Sequence, residues 1–212
     1  MKKKPSAKNI TAAVLISGAA ALGLTGVTTY TMTPVSAATH APTTTATTAA
    51  QSKAKAAQSV NTFLNSFYKP ALKGQFPDDL NKLSKGLTLG KTKRDEVIDI
   101  FGQPYASGTG ANAFDEYESS MGQPGFAFSY KKNKLQEMRY FGTGVERQTN
   151  LGSITQHMLM KQWGMPNSTS TIKAGKITQK KMVYIRGKYQ LEFIFNSSTD
   201  LNHVNLTFKG AK

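Results

Sequence analysis

The 212 residues contain no cysteine, and acids are scarce, with 12 Asp and Glu against 27 Lys and Arg. The first absence excludes disulfides, a thiolate nucleophile and a lipid-modified N-terminal cysteine, and it makes a structural zinc site improbable. The fold must be held by its core alone, which suits a bacterial exported protein better than a small secreted eukaryotic scaffold. The second absence leaves a formal charge of +15. Histidine is confined to His40, His157 and His203, with no His-x3-His or His-Glu spacing, so no metal and no cofactor is expected. No serine sits in a Gly-x-Ser-x-Gly setting. Gly108-Thr109-Gly110 lacks the lysine and helix of a phosphate cradle and reads as a flexible connector. The apolar run over 10–27 is diluted by Ser17, Gly18, Gly23, Thr25 and Gly26.

What is present at the start has the form of a secretory signal. Lys2, Lys3, Lys4 and Lys8 precede the apolar run, and Val35-Ser36-Ala37 offers small side chains where a signal peptidase reads. Residues 1–37 are therefore expected to be a signal peptide cleaved near Ala37. The protein would then be secreted or associated with the cell envelope on its outer side; an uncleaved membrane anchor is the alternative. Losing four lysines and no acid takes the charge from +15 to +11. For an exported chain nucleic acid is not the expected partner. Anionic wall polymers, an acidic protein or an anionic membrane surface are better matched; a basic surface that serves only solubility is the plainer alternative. Residues 38–57 read as a Thr/Ala-rich spacer, with nothing large to bury over 38–50, and are expected to be disordered. The remainder, 58–212, suffices for one compact domain or two small intimate halves.

That remainder carries a repeat. Leu89-Gly90 is followed, eleven positions after the glycine, by Phe101 and then Gly102-Gln103-Pro104; Leu151-Gly152 is followed at the same offset by Trp163 and then Gly164-Met165-Pro166. The two copies lie 62 residues apart. Each reads as a short helix that presents one aromatic to the core and stops at a glycine, with proline forbidding continuation. Thr92 with Asp95 is the expected cap of the first helix; Ser153 with Gln156, or Thr155 alone, is that of the second. Upstream, Val60, Phe63, Leu64 and Phe67 form one apolar helical stripe within 51–68. Strands are predicted over 114–119, 125–130 and 134–141 in repeat one (about 87–142). In repeat two (about 149–208) they fall over 178–186, 188–195 and 203–208. Lys131-Lys132-Asn133 and Arg186-Gly187-Lys188 are the expected tight turns. Tyr189, Leu191, Phe193 and Phe195 alternate with Gln190, Glu192 and Ile194, as in a sheet with one face on the core. The expected fold is α+β: two tandem helix-plus-antiparallel-three-strand units packed together behind a preceding helix.

These repeated helices with their tyrosine-bearing strands resemble the YjgB-like exported proteins of Gram-positive bacteria. So do Ala71-Leu72-Lys73-Gly74-Gln75-Phe76-Pro77 and Gly187-Lys188-Tyr189-Gln190-Leu191-Glu192-Phe193. The resemblance spans about 60–208. It implies a domain with no assigned activity. It also implies a repeat similar to the β-lactamase-inhibitor-protein fold and to a small lipoprotein of the outer-membrane assembly machine, a wider group in which characterised members bind proteins. This chain lacks the cysteine that accepts lipid in the lipoprotein members.

Glu116 and Glu118 are the acid–base pair a hydrolase would use, but two positions apart on one strand they equally suit a solvated face. Lysines cluster at Lys91-Lys93-Arg94, Lys131-Lys132-Lys134 and Lys173-Lys176-Lys180-Lys181, interleaved with Tyr117, Tyr130, Arg139, Tyr140, Tyr184 and Arg186. Aromatic and arginine side chains on an exposed sheet are what binding surfaces use; half-buried core edges are the alternative. The sequence therefore points to a monomeric, non-catalytic binding module of the cell envelope. A cell-wall hydrolase or a structural, chaperone-like envelope protein are the alternatives.

Overall fold

The computed structural model describes residues 44–80, 84–110, 113–119, 122–143 and 151–210. The expected signal peptide, the start of the spacer and the segment 144–150 lie outside the described residues. The described chain opens with α1 (Thr44–Ser66) and the single turn α2 (Tyr68–Ala71). Val60, Leu64 and Phe67 of the apolar stripe are buried, and Phe63 packs at the core's edge. The helix begins at Thr44, inside the stretch expected to be a disordered spacer. Alanine is the best helix former, so a helix nucleated by the docked stripe extends through the Ala-rich run at little cost. Residues 54–59 are exposed, so propensity rather than packing supports that part.

Helix α3 (Arg94–Phe101) and α4 (Gln156–Trp163) are the two repeated helices. Thr155 caps α4, its hydroxyl accepting from the Met158 N–H at 3.0 Å. The first cap differs from expectation. Lys93 is the capping residue, and Glu96 reaches back to accept its N–H at 2.9 Å. Thr92 is held one residue earlier, where its hydroxyl accepts from the Thr88 N–H. Both helices stop at a glycine in a conformation open essentially to glycine alone: Gly102 has φ 81°, ψ −168° and Gly164 φ 78°, ψ −168°. In both turns the glycine N–H donates 2.8 Å back to the helix, to Ile98 O and Met160 O. A tyrosine hydroxyl donates to each glycine carbonyl, Tyr117 to Gly102 (3.3 Å) and Tyr184 to Gly164 (3.0 Å). Phe101 packs on Phe126 and Phe128, and Trp163 on Tyr184 and Phe193, so both aromatics are half-buried against the core.

The strands are β1 (Ala106–Ser107), β2 (Asp115–Tyr117), β3 (Pro124–Lys131), β4 (Lys134–Thr143), β5 (Ser168–Ala174), β6 (Ile177–Arg186), β7 (Tyr189–Ser197) and β8 (Asp200–Phe208). They form one eight-stranded antiparallel sheet in the order β1-β2-β3-β4-β8-β7-β6-β5. The molecule is thus a helix followed by a large sheet with few further helices, not two separate three-stranded units. Four strands precede α4 and four follow it. The two that sequence reading missed, β1 and β5, are the sheet's edges. β1 has only two residues, and β5 (Ser-Thr-Ser-Thr-Ile-Lys-Ala) carries almost no apolar alternation because an edge strand has little to bury. Lys132 and Asn133 take positive φ (52° and 61°) in the β3–β4 hairpin, and Gly187 (φ 63°) turns β6 into β7.

Phe67, Phe76, Phe126, Phe128, Phe193 and Phe195 fill the core between the helices and one face of the sheet. The opposite face of the central strands is not solvated as simple alternation suggests: Gln190, Glu192, Ile194, His203, Asn205 and Thr207 are all buried. In the middle of a wide sheet such side chains lie against cross-strand neighbours. Glu192 accepts from Gln190 Nε2 (2.7 Å), Lys181 Nζ (3.3 Å) and Asn205 Nδ2 (3.4 Å).

Candidate functional site

Arg186 ends β6, two residues past Tyr184, and therefore faces the helices. Its guanidinium carbon lies 4.2 Å from the ring centre of Tyr68, 4.5 Å from that of Trp163 and 5.8 Å from that of Tyr184. Tyr68 and Trp163 meet edge to face at 6.0 Å and 90°, and Trp163 and Tyr184 at 5.3 Å and 85°. The box thus draws one wall each from α2, α4 and β6. Arg186 is 9% exposed. Its Nη1 donates to the Ile185 carbonyl at 2.7 Å, but among the described residues neither its Nε–H nor the buried Nε1–H of Trp163 has an acceptor. Arg186 forms no ion pair among the described residues. Burial pulls its pKa down from the ordinary arginine value, with Tyr68 and Tyr184 opposing the shift; an arginine nonetheless stays charged. Leaving a buried donor unmet costs about 1–3 kcal/mol, more on a charged group. Cation–π attraction, about 2 kcal/mol or more for a desolvated contact, offsets part of that.

Arg94, at the start of α3, is arranged differently. It grips Asp115 through Nε (2.7 Å to Oδ2) and Nη2 (3.2 Å to Oδ1), and Ser107 donates to Oδ1 at 2.8 Å. The hydrogen bond to Asp115 raises the Arg94 pKa. Tyr117 and Tyr130 stand alongside, and burial followed by the Asp115 charge pushes both phenols above their ordinary range. The Tyr130 hydroxyl is buried without a hydrogen-bond partner among the described residues.

Backbone pairing joins two of the lysine clusters. Gly90 N–H donates to Leu135 O (2.7 Å), Leu135 N–H to Thr92 O (2.9 Å) and Arg94 N–H to Asn133 O (3.3 Å), and Lys93 bridges Lys134 antiparallel. Lys91, Lys93, Lys131, Lys132 and Lys134 are thereby gathered into one patch. All five are exposed, and none forms an ion pair among the described residues. The third cluster lies on β5 and β6 at the other side of the sheet. There Lys181 is taken by Glu192 and Lys180 by Gln156 (2.9 Å).

The domain of unknown function DUF4309 matches residues 64–207. The chain belongs to the DUF4309 family. It is 40% identical over 153 residues to the uncharacterized protein YjgB of Bacillus subtilis (strain 168), across 72% of this chain and 77% of that one. The crystal structure of YjgB, described as a DUF4309 family protein, is similar with a TM-score of 0.62 at 39% identity, covering 71% of this chain and 99% of that one. A putative β-lactamase inhibitor protein from Streptococcus mutans is a remote neighbour at 15% identity and a TM-score of 0.22, covering 54% and 82%.

Within this DUF4309 fold the six residues singled out from sequence do not share one surface. Tyr184 and Arg186 meet in the aromatic box. Tyr117 and Tyr130 flank the Arg94–Asp115 pair. Tyr140 is buried in the core at 1% exposure, where Phe63, Phe67 and Phe126 surround it. Arg139 is on the opposite face, bound to Glu137 at 2.6 Å with its guanidinium 3.8 Å from the Phe114 ring centre. Glu116 and Glu118 are exposed and line an open groove of about 390 Å³ with Phe141 and Gly125. No group of three His, Asp or Glu side chains suited to a metal occurs among the described residues. Sequence reading missed Tyr68 and Trp163 as walls of the box. Trp163 carried the signal, as the chain's single tryptophan at a repeated position, but was assigned wholly to the core.

Proposed function

We propose that this protein is an exported, non-catalytic binding module of the cell envelope that holds an anionic wall polymer through the patch of Lys91, Lys93, Lys131, Lys132 and Lys134. The observation that carries the reading is the convergence of two distant lysine clusters, all five members exposed and without an ion pair among the described residues. Exposed ammonium groups on flexible stems are point charges without a fixed shape, which suits a repeating polyanion better than one shaped acidic protein. The sequence pattern of residues 1–37 supports export. We further read the fold as a tandem duplication, α3 with β1–β4 and α4 with β5–β8. The matched glycine turns, the tyrosine hydroxyls bonded to them and the two half-buried aromatics support it.

Co-sedimentation with isolated cell-wall material tests the binding. Retention is expected at low salt and is lost as salt screens the patch. The combined variant Lys131→Gln, Lys132→Gln, Lys134→Gln is expected to lose most of it. Salt-independent retention, or none, counts against the proposal. Mass analysis of the secreted protein tests export, with loss of residues 1–37 expected.

A further inference from the structure

Three arginines lie among the described residues, and two of them hold a carboxylate: Arg94 holds Asp115 and Arg139 holds Glu137. Arg186 is more buried than either and holds none. Its Nε–H and the Trp163 Nε1–H are two buried donors in one aromatic box without acceptors among the described residues. The wall that closes this box, Tyr68, is itself 48% exposed. Its ring lies against Arg186 and Trp163, and no hydrogen bond fixes its hydroxyl among the described residues.

We propose that the box of Tyr68, Trp163, Tyr184 and Arg186 is a receptor for the carboxylate of a small organic monoanion, with Tyr68 swinging aside to admit it. The guanidinium fork matches a carboxylate edge with two donors, and the indole N–H is a further donor beside it. The box offers a single positive charge and apolar aromatic walls, which suits a monoanion on a small organic group rather than a polyanion. Met165, two residues past Trp163, is 80% exposed and extends the apolar surface next to the helix end. The proposal extends the binding-module reading but does not depend on the lysine patch.

Trp163 is the only tryptophan of the chain, so its emission reports on the box directly. The full-length protein would be titrated with N-acetylalanine, N-acetylalanine amide and inorganic phosphate. A saturable emission change with N-acetylalanine alone is expected, unaltered in the Lys131/Lys132/Lys134 glutamine variant. Arg186→Gln should weaken it at least tenfold. Tyr68→Ala, at an exposed position that does not threaten folding, should keep the response and strengthen it severalfold. Three results would overturn the proposal: an equal response to the amide or to phosphate, a folded Arg186→Gln protein that binds as well as the parent, or no response in both the parent and Tyr68→Ala. The first would show that the box does not select a carboxylate; either of the others would leave Arg186 as a structural pin between α2 and β6. Because the lysine patch is read by wall retention and the box by a small carboxylate, the two proposals fail separately.

Discussion

Gly164 and Gly74 both need positive φ, 78° and 74°, but they are constrained differently. A Cβ on Gly164 would meet nothing within 4 Å, so Gly164→Ala is expected to cost only the backbone strain, about 1–3 kcal/mol. A Cβ on Gly74 would lie 2.5 Å from the buried Tyr189 ring, so Gly74→Ala should be the more damaging of the two in urea unfolding. Trp163→Ala removes the aromatic that Tyr184, Phe193 and Tyr68 pack against and should cost about 3–5 kcal/mol by the same measurement. Tyr130 gives a pH prediction. The folded chain keeps this phenol's proton above 10.0, where an unfolded tyrosine loses it. Above that pH the unfolded state binds fewer protons, so stability falls as pH rises. Tyr130→Phe is expected to flatten this alkaline loss. It should not lower stability at neutral pH, because it also removes a buried hydroxyl that has no hydrogen-bond partner among the described residues.

At the scale of elements, the hairpins and helix ends are local chemistry. Lys132-Asn133, Gly187, Thr155, Gly102 and Gly164 act through their own backbone and nearest neighbours, which is why the sequence places these turns correctly and offers Thr155 as one of two caps for α4. The α3 cap was misplaced by one residue because Glu96, not Asp95, reaches back, and the choice between two adjacent acids depends on side-chain geometry. Glu116 of β2 and Glu118, one residue past its end, sit together on the rim of an open groove. On the binding reading the double variant Glu116→Gln, Glu118→Gln leaves wall retention unchanged and the parent releases no soluble wall fragments. Release by the parent that the double variant abolishes would establish the hydrolase instead.

For the whole molecule, the decisive contact is the antiparallel pairing of β4 with β8, Glu137 with Thr207 through Tyr140 with Val204. It welds the two four-stranded halves into one sheet whose core is shared with α1. Tyr140 of the first half and Leu206 and Phe193 of the second belong to one buried cluster. Unfolding is therefore expected to be a single transition, with Trp163 emission from the second half and far-UV circular dichroism from the whole chain coinciding in denaturant. Two separate midpoints would show that the halves fold independently.

The sequence by itself determined a leading helix with an antiparallel sheet, six of the strands described and the recurring aromatic-glycine turn, because each is written in short-range periodicity and in residues with restricted backbones; the family was legible as a resemblance carried by its motifs. Tertiary structure alone decided the strand order, the two edge strands, the merging of two lysine clusters and the burial of Tyr140. It also decided the box around Arg186. Its walls come from α2, α4 and β6, and only folding brings together side chains so far apart along the chain. No local pattern in a sequence reports whether a buried guanidinium will find a carboxylate there or be left without one.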